Sequence, residues 1–289
     1  MKVLTKDSVF LIVLIFLTGL FHASEGQSKN DKAFNIVTYN IRMNTPSDGE
    51  NAWPLRKDKV AALLRFHQAD IFNVQEALAE QMDDLKKSFP DFDFVGVGRD
   101  DGKAAGEFMA IFFRKDRFER LTDGMFWLNE HPDKPGLGWD APSDIRDVTW
   151  IKLKDKQGGT IFYVLNTHFD HRGVVAREES AKLIVKFVRE ENAEKLPLIL
   201  TGDFNCVKNS VPVQLIMEEL SDAQDKSLTP PYGPEGTAGG FNVKVVTKKI
   251  DFIFVNDPVS VLRHGVLSDS YGLFYPSDHL PVLTEVQLQ

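Results

Sequence analysis

The sequence predicts an α/β protein in which two β-sheets pack on each other and helices cover their outer faces. Short apolar segments bounded by polar or glycine-containing stretches recur along the chain, and they outnumber segments with helical periodicity. The sequence contains no repeat of solenoid length and no low-complexity tract. Since a sheet must bury its apolar faces against another layer, this mixture of elements favours two packed sheets with outer helices in one domain.

The predicted strands are short runs in which β-branched and aromatic residues are common. They cover residues 34–40, 71–75, 93–97, 109–113, 148–153, 161–167, 198–201, 250–255, 259–267 and 282–286. Segments 148–153 and 161–167 are predicted to pair, because the turn-forming residues Gly158 and Gly159 lie between them.

The predicted helices have apolar residues at helical spacing, and they cover residues 54–66, 177–190 and 211–220. Pro54 and Pro212 stand in the first turns of two of them, where proline is tolerated. Two regions, 45–51 and 126–143, show neither pattern. Loops of this kind often determine substrate selectivity.

The N-terminal segment has the organisation of a secretory signal peptide. Lys2 and Lys6 precede an apolar run over residues 9–21, and small residues follow it. We therefore expect a leader over residues 1–26 and a mature domain over 27–289. The alternative is an uncleaved N-terminal anchor, but the run is short for a spanning helix, which favours cleavage. No membrane span is expected after removal of the leader. No cysteine follows the run, which excludes lipid attachment there and predicts a secreted or periplasmic protein.

Composition and charge limit the partners of this chain of 289 residues. The hydrophobic fraction of 43% suits a globular core, and the net charge is −8. A general binder of duplex DNA carries a broad basic face, so the charge disfavours nucleic acid without excluding a small phosphate-bearing substrate. Cys206 is the only cysteine, so an internal disulfide is excluded. The sequence leaves the oligomeric state open.

Polar residues stand at the ends of predicted strands, where distant parts of a chain can meet in one cleft. The residues that could take part in catalysis or metal binding are Asn40, Glu76, His168, Asp203, Asn205, Asp251, Asp278 and His279. The last two lie in a short turn braced by Pro276 and Pro281. This arrangement predicts a single polar site built from most of the chain.

The types of residue in this set agree with one another. Glu76 with Asn40 and Asp278 offers hard oxygen ligands, which suit Mg²⁺ or Mn²⁺ rather than zinc. Asp203 and Asn205 lie two residues apart and share a face of extended chain, so one can take a proton from water while the other orients it.

Two histidines complete the chemistry. His168 and His279 can donate to phosphoryl oxygens, and Asp251 can hold one imidazole in a single orientation. These parts suit attack of water on phosphorus, assisted by a metal ion. Taken singly, Glu76 also fits a helix cap and His168 a core histidine. Asp251, inside an apolar strand, needs a partner because burial of an unpaired carboxylate is costly.

These motifs resemble the endonuclease/exonuclease/phosphatase superfamily, whose fold is that of pancreatic deoxyribonuclease. The matching segments run in the family's order over nearly the whole mature chain, and they read TYNIR, VQE, NTHFDH, GDFN, IDFIF and PSDHLPV. The resemblance implies a DNase I-like, four-layer α/β/β/α sandwich with two mainly antiparallel sheets. Within the superfamily the chain resembles secreted bacterial members and the nocturnin and deadenylase-like branch.

The resemblance also implies roles. Glu76 is the main metal ligand, supported by Asn40 and Asp278, while Asp203 and Asn205 orient or activate the attacking water. The identity of the general base stays open.

The remaining implied roles concern the substrate. His168 contacts the scissile phosphate, and His279 pairs with Asp251. Arg42, Arg146 and His171 are further candidates for substrate contacts. Trp127, Trp139 and Trp150 are candidates to stack on a base or a sugar, with core packing favoured for Trp150.

The expected function is therefore secreted, Mg²⁺- or Mn²⁺-dependent hydrolysis of a phosphate ester, with a diester favoured over a monoester. Three alternatives stay open. A secreted nuclease would need a basic stripe, and a phospholipase C-like enzyme would need an exposed apolar loop, for which residues 124–139 are the only candidate. A non-catalytic binding module would be expected to have lost part of the site, whereas every site residue is present.

Overall fold

The computed structural model describes residues 32–289, in which two six-stranded sheets pack together. The predicted leader lies outside the described residues. The strands are β1 (Ala33–Asn40), β2 (Ile71–Ala77), β3 (Phe92–Val95), β4 (Phe108–Arg114), β5 (Phe118–Trp127), β6 (Asp147–Asp155), β7 (Ile161–His168), β8 (Leu198–Asp203), β9 (Ser221–Asp222), β10 (Asp251–Val255), β11 (Val259–Val266) and β12 (Val282–Leu288). The helices are α1 (Trp53–Phe66), α2 (Ala79–Ser88), α3 (Val174–Glu191), α4 (Val211–Ile216) and α5 (Ala223–Lys226), with a 3₁₀ helix at Pro46–Asn51.

The two sheets share one plan of strand pairing. The first has the order β11-β12-β1-β2-β4-β3, and the second has the order β5-β6-β7-β8-β10-β9. Each contains one parallel pair, β1 with β2 and β7 with β8, and its other pairs are antiparallel. The predicted fold class, with mainly antiparallel sheets, is confirmed.

Successive side chains of a strand point to opposite faces of its sheet, so each strand contributes to two separate layers of the core. In β1, Phe34 and Ile36 face the core between the sheets, whereas Val37 and Tyr39 face the outer core under α1 and α2. A third cluster fills the space between the second sheet and helices α3 and α4, where Ile184 packs near Leu200. The result is the four-layer α/β/β/α sandwich that the resemblance implies.

Several elements differ from the sequence prediction. The pattern does not predict α2, which buries only Gln81, Met82 and Leu85 and is otherwise polar. It also does not predict β5, an edge strand in which every residue after Phe118 is exposed or half-buried and the apolar residues do not alternate. Helix α3 begins three residues earlier than predicted, at Val174, and α4 ends at Ile216 rather than at residue 220. The first region without a predicted pattern, 45–51, forms the 3₁₀ helix.

No helix within residues 32–289 is both long and apolar enough to span a membrane. Cys206 is buried and free. The core is aromatic: fully buried phenylalanines such as Phe34, Phe72 and Phe204 form ring contacts with their neighbours. These packed layers provide a rigid frame for the strand ends, where the polar residues lie.

Candidate active site

Register in the second sheet places three functional residues side by side. In the parallel pair of β7 and β8, His168 lies opposite Asp203, and in the antiparallel pair of β8 and β10, Asp251 lies opposite the same Asp203. The close approach of β7 and β8 requires glycine at position 202, because a Cβ there would lie 2.2 Å from the carbonyl oxygen of Thr167. Three separate segments of the sequence therefore present their polar side chains at one sheet end.

The first sheet contributes Asn40 and Glu76. Asn40 lies opposite Gln75 in the parallel pair of β1 and β2, and the ladder between β2 and β4 shifts register between Val74 and Ala77, around Glu76. Asn40 Nδ2 donates to Glu76 Oε1 at 2.9 Å and to Asp203 Oδ2 at 3.0 Å. This side chain therefore joins the polar ends of both sheets.

Three non-glycine residues of the site have a left-handed backbone. Arg42, Glu76 and Asn205 have φ angles of 57°, 62° and 49°. Such conformations are uncommon and cost free energy, and they persist where the surrounding structure enforces them. Here Arg42 N donates to Asn40 Oδ1 and Asn205 N donates to Asp203 Oδ1, so local hydrogen bonds stabilise two of the three.

His279 and Asp251 form a buried hydrogen-bonded pair. His279 Nδ1 lies 2.9 Å from Asp251 Oδ2, and His279 Nε2 lies 3.8 Å from Asp203 Oδ2. Burial by itself lowers the pKa of His279, but the carboxylates of Asp251 and Asp203 outweigh burial and raise the pKa well above its ordinary value. The partner expected for the buried Asp251 carboxylate is therefore present, and it is a histidine.

His168 is a neutral imidazole in this environment. Burial, followed by the nearby Arg146 guanidinium, lowers the pKa of His168 to about 3. Its Nε2 lies 3.0 Å from Asn205 Nδ2, which donates, so the ring proton resides on Nδ1, 3.7 Å from Glu107 Oε2. His168 therefore holds the Asn205 amide, and its predicted contact with phosphate stays a prediction.

Asp203 is the centre of the arrangement. Burial, together with the adjacent Asp251 carboxylate, raises the pKa of Asp203, which makes it a stronger base than an ordinary aspartate. Glu76 behaves oppositely: burial by itself raises its pKa, but the hydrogen bond from Asn40 and the positive charge of His279 contribute to a net lowering. Glu76 is thus an ionised carboxylate suited to bind a cation.

These residues meet in a cleft of about 240 Å³. The cleft is lined by Arg42, Met43, Glu76, Glu107, Asp144, Arg146, His168, His171, Asp203, Asn205 and His279. The three predicted substrate-contacting residues, Arg42, Arg146 and His171, are all in the lining. A larger cavity of about 480 Å³ lies beside the end of α1 and contains none of the predicted site residues.

Three predicted residues lie behind the lining: Asp251, which is the partner of His279, and also Asn40 and Asp278. The Asn40 side chain is fully buried between Glu76 and Asp203. Asp278 Oδ1 lies 3.3 Å from Ser277 Oγ, and its main-chain carbonyl accepts from the N–H groups of Gly239 and Gly240. Burial raises the pKa of Asp278. The turn between the two prolines therefore anchors His279 within the site.

The donor atoms of the site fit a hard divalent cation. Carboxylates of Glu76, Glu107 and Asp203 line the cleft together with the Asn205 amide. Oxygen donors of this kind suit Mg²⁺ or Mn²⁺. Asp203, Asp251 and His279 also have ligand atoms within 4.8 Å of one another, with the Asp251 Oδ1 atom buried and without a hydrogen-bond partner among the described residues.

Sequence reasoning did not identify Glu107, Arg99 and Asp144. Arg99 is buried and binds Glu107 through two hydrogen bonds of 2.7 and 3.0 Å, and its Nη2 lies 3.4 Å from Asp144 Oδ1. One signal for Glu107 is visible in hindsight, because this charged residue directly precedes the fully apolar start of β4. Asp144 lies in an irregular loop, where nothing in the pattern marks it.

Known proteins resemble this chain along most of its length. The sequence profile of the Endonuclease/Exonuclease/phosphatase family matches residues 37–279. A family member from Bacteroides vulgatus is 39% identical, with a TM-score of 0.84 over 89% of this chain and 99% of that one. The mannosyl-6-phosphatase Bt3783 of Bacteroides thetaiotaomicron is 37% identical, with a TM-score of 0.84 over 88% of this chain and 99% of that one. The RNA exonuclease NGL1 of Saccharomyces cerevisiae is 25% identical over 90% of this chain and 94% of its own length. The chain therefore belongs to the Endonuclease/Exonuclease/phosphatase family, whose named relatives are phosphoesterases and nucleases.

Proposed function

We propose that this protein is a divalent-metal-dependent phosphoesterase that hydrolyses the phosphate monoester of a small molecule. The observation that carries the proposal is the meeting of two groups at Asp203. On one side Asn40 links Asp203 to the ionised Glu76, and on the other side lies the hydrogen-bonded pair of Asp251 and His279. A hard cation site thus adjoins a base and an acid.

Glu76, which lines the cleft, would hold the metal ion, and the predicted ligands Asn40 and Asp278 would support it from behind the lining. When bound, the ion would supply positive charge to a phosphoryl oxygen. Asp203 is placed to accept the proton of the attacking water, since its pKa is raised by burial and by Asp251. Asn205, fixed by His168 and by the carbonyl of Phe169, orients that water.

Two cationic groups are placed to stabilise the charge that develops on the phosphoryl oxygens. His279 stays protonated because its pKa is raised by the neighbouring carboxylates, so its Nε2–H can donate. Arg146 is 5% exposed and lines the cleft, and its Nε and Nη1 atoms have no hydrogen-bond partner among the described residues. Donors that are fixed before the reaction are effective because little reorganisation is needed.

The lining favours a small substrate over a nucleic acid. The part of the cleft that the structure describes contains no phenylalanine, tyrosine or tryptophan on which a base could stack. Of the tryptophans considered above, Trp127 donates its indole N–H to the carbonyl of Arg99, and Trp150 packs against Phe187. The net charge of −8 points the same way. The relative named mannosyl-6-phosphatase supports a phosphorylated sugar as the substrate, rather than the diester that the sequence favours.

The proposal includes export from the cytoplasm, with cleavage of the leader near Gln27. It rests on the basic start, the apolar run and the small residues of the N-terminal segment. N-terminal sequencing of the protein recovered outside the cytoplasm tests it. A chain that begins at Met1 and stays inside the cell would contradict export.

A comparison of three substrates tests the proposed reaction. The mature chain is incubated with phenyl phosphate, bis(p-nitrophenyl) phosphate and single-stranded RNA, each with Mn²⁺, with Mg²⁺ and with EDTA. We expect metal-dependent phosphate release from the monoester at the highest rate. Turnover of none of the three, together with no release of phosphate from mannose 6-phosphate, would contradict the assignment of an enzyme.

A phosphodiesterase or nuclease is the second candidate, and the RNA exonuclease relative favours it. The same comparison separates the two candidates. A rate on the diester or on RNA that exceeds the rate on phenyl phosphate would establish the second candidate and overturn the first.

A further inference from the structure

The cleft has a second polar wall, of which only Arg146 takes part in the proposed chemistry. Asp144 and His171 line it, and Arg172 lies against Asp144 at 3.7 Å. The wall is connected to the catalytic residues, since Arg99 contacts both Asp144 and Glu107, and Glu107 lies beside His168. A substrate with its phosphate next to His168 would therefore place its remaining atoms near this wall.

The charges of this wall compensate one another. Each of three guanidinium groups, those of Arg99, Arg146 and Arg172, forms an ion pair with at least one carboxylate, and the carboxylates are those of Asp100, Glu107, Asp144 and Asp170. Charges that are paired in this way do not select a second phosphate or an organic cation. It does offer many hydrogen-bond donors and acceptors to a neutral polar group.

Asp144, Asp170 and His171 have ligand atoms within 4.8 Å of one another, which raises the question of a second metal ion. The guanidinium groups argue against it. Arg146 Nη2 lies 3.3 Å from His171 Nδ1, and Arg146 Nε lies 3.9 Å from Asp170 Oδ2. A cation at the centre of this group would meet the permanent positive charge of Arg146.

The hydrogen-bond directions at the wall are defined. Because Arg146 donates to His171 Nδ1, the neutral ring carries its proton on Nε2, which has no hydrogen-bond partner among the described residues. The His171 side chain is 45% exposed and that of Asp144 is 28% exposed. His171 Nδ1 lies 3.8 Å from Asp144 Oδ2. The Nε2–H donor of His171 and the carboxylate acceptor of Asp144 therefore belong to adjacent side chains at the mouth of the cleft.

We propose that Asp144 and His171 form a specificity subsite for neighbouring hydroxyl groups, so that the preferred substrates are phosphorylated sugars or polyols. A hydroxyl group both donates and accepts, so one hydroxyl can donate to the Asp144 carboxylate, which also accepts from Arg99 and Ser143, while its neighbour accepts from His171 Nε2–H. An analogue that lacks these hydroxyls forgoes both hydrogen bonds and therefore binds more weakly. The inference rests on the proposed phosphomonoesterase function.

The test compares mannose 6-phosphate with phenyl phosphate, which carries the same phosphate without hydroxyl groups. The variants are Asp144→Asn and His171→Ala, with Asp133→Asn and His131→Ala as matched controls on the exposed part of the same loop region. For each protein, kcat and KM are measured on both substrates with Mn²⁺. Thermal unfolding establishes that each variant is folded.

We expect the ratio of kcat/KM on mannose 6-phosphate to kcat/KM on phenyl phosphate to fall about tenfold or more in each site variant, mainly through KM. The controls keep the wild-type ratio, and His171→Gln, which retains a side-chain donor, recovers part of it. An unchanged ratio in Asp144→Asn and His171→Ala would overturn the subsite. A wild-type enzyme that hydrolyses phenyl phosphate alone would overturn the subsite but not the proposed function, and release from neither substrate would overturn both.

Discussion

The Nδ1 atom of His279 lies 2.9 Å from the Oδ2 atom of Asp251, although 28 residues separate them in the chain. This contact fixes the imidazole so that its Nε2 atom faces Asp203, 3.8 Å away. An acid, a base and the carboxylate that orients the acid therefore form one continuous group. The chemistry proposed for the cleft depends on that continuity.

Replacement of Asp251 by asparagine should remove the charge that keeps His279 protonated and orient its ring less strictly. We expect kcat to fall by about 10²- to 10⁴-fold. The exposed Asp257→Asn, on the loop after the same strand, serves as the control and should retain activity. Steady-state kinetics on phenyl phosphate measures both, and a loss below about threefold in Asp251→Asn would contradict the role of the pair.

Replacement of Glu76 by glutamine retains the shape of the side chain and removes its charge. We expect the affinity for Mn²⁺ to fall by at least about 10-fold, because a neutral amide is a weaker ligand for a hard cation. Isothermal titration of the metal measures the change without reference to activity. The exposed Glu119→Gln should bind as the wild type does, and equal affinities in all three proteins would show that the cation binds elsewhere.

Gly202 should tolerate no side chain, since a Cβ would approach the carbonyl oxygen of Thr167 to 2.2 Å. We expect Gly202→Ala to lower the free energy of unfolding by about 2–4 kcal/mol. Gly159 is a matched control, because both glycines have a positive φ, which is +75° at Gly159. The two differ in their surroundings, since nothing lies within 4 Å of the position that a Cβ would take at Gly159. Gly159→Ala should cost about 1 kcal/mol. Urea unfolding measures both, and equal losses would mean that the Thr167 contact is unimportant.

Asp147 should make stability depend on pH. Burial raises the pKa of Asp147 to about 7, against the opposing effect of Arg99 and Arg146, and both carboxylate oxygens lack hydrogen-bond partners among the described residues. The folded state holds this proton more tightly than the unfolded state, whose pKa is about 3.9. The stabilisation is complete below about pH 4 and is lost as the pH rises through about 7.

We therefore expect Asp147→Asn to be more stable than the wild type at pH 8, by about 2–4 kcal/mol, and to lose this advantage at pH 4. Urea unfolding at pH 4, 6 and 8 provides the comparison, with Asp133→Asn as an exposed control. A difference that does not vary with pH would show that Asp147 has no raised pKa.

Much of this site follows from residue types in the sequence, and the reasons are physical. A carboxylate inside the apolar strand at Asp251 demanded a partner, and His279 is that partner. Glu107 and Asp144 escaped notice because the contacts that join them run through Arg99, and no local pattern records a contact across the loop. The buried Asp147 looks from its sequence like the start of an ordinary strand. Asp147 is buried without a hydrogen-bond partner among the described residues because both sheets pack around it, and a local sequence pattern does not record that packing.

Helix α2 and strand β5 illustrate the same limit in the fold. Helix α2 is largely polar and buries only three residues, and the apolar residues of the edge strand β5 do not alternate, so neither element carries the run of apolar residues by which elements are recognised. Their positions are set by neighbours: β5 by its ladder with β6, and α2 by its packing under the first sheet. Tertiary contacts thus determine the elements that the sequence pattern leaves undefined.

The measurement to make first is release of inorganic phosphate from phenyl phosphate by the mature chain, with Mn²⁺ and with EDTA, beside Glu76→Gln and Asp251→Asn. We expect release that requires Mn²⁺ and that falls at least about 100-fold in Asp251→Asn. We also expect Glu76→Gln to recover part of its activity at high Mn²⁺ concentration, since its defect lies in metal binding. Equal release in the presence of EDTA, or full activity in both variants, would contradict a metal-dependent phosphoesterase built around Asp203.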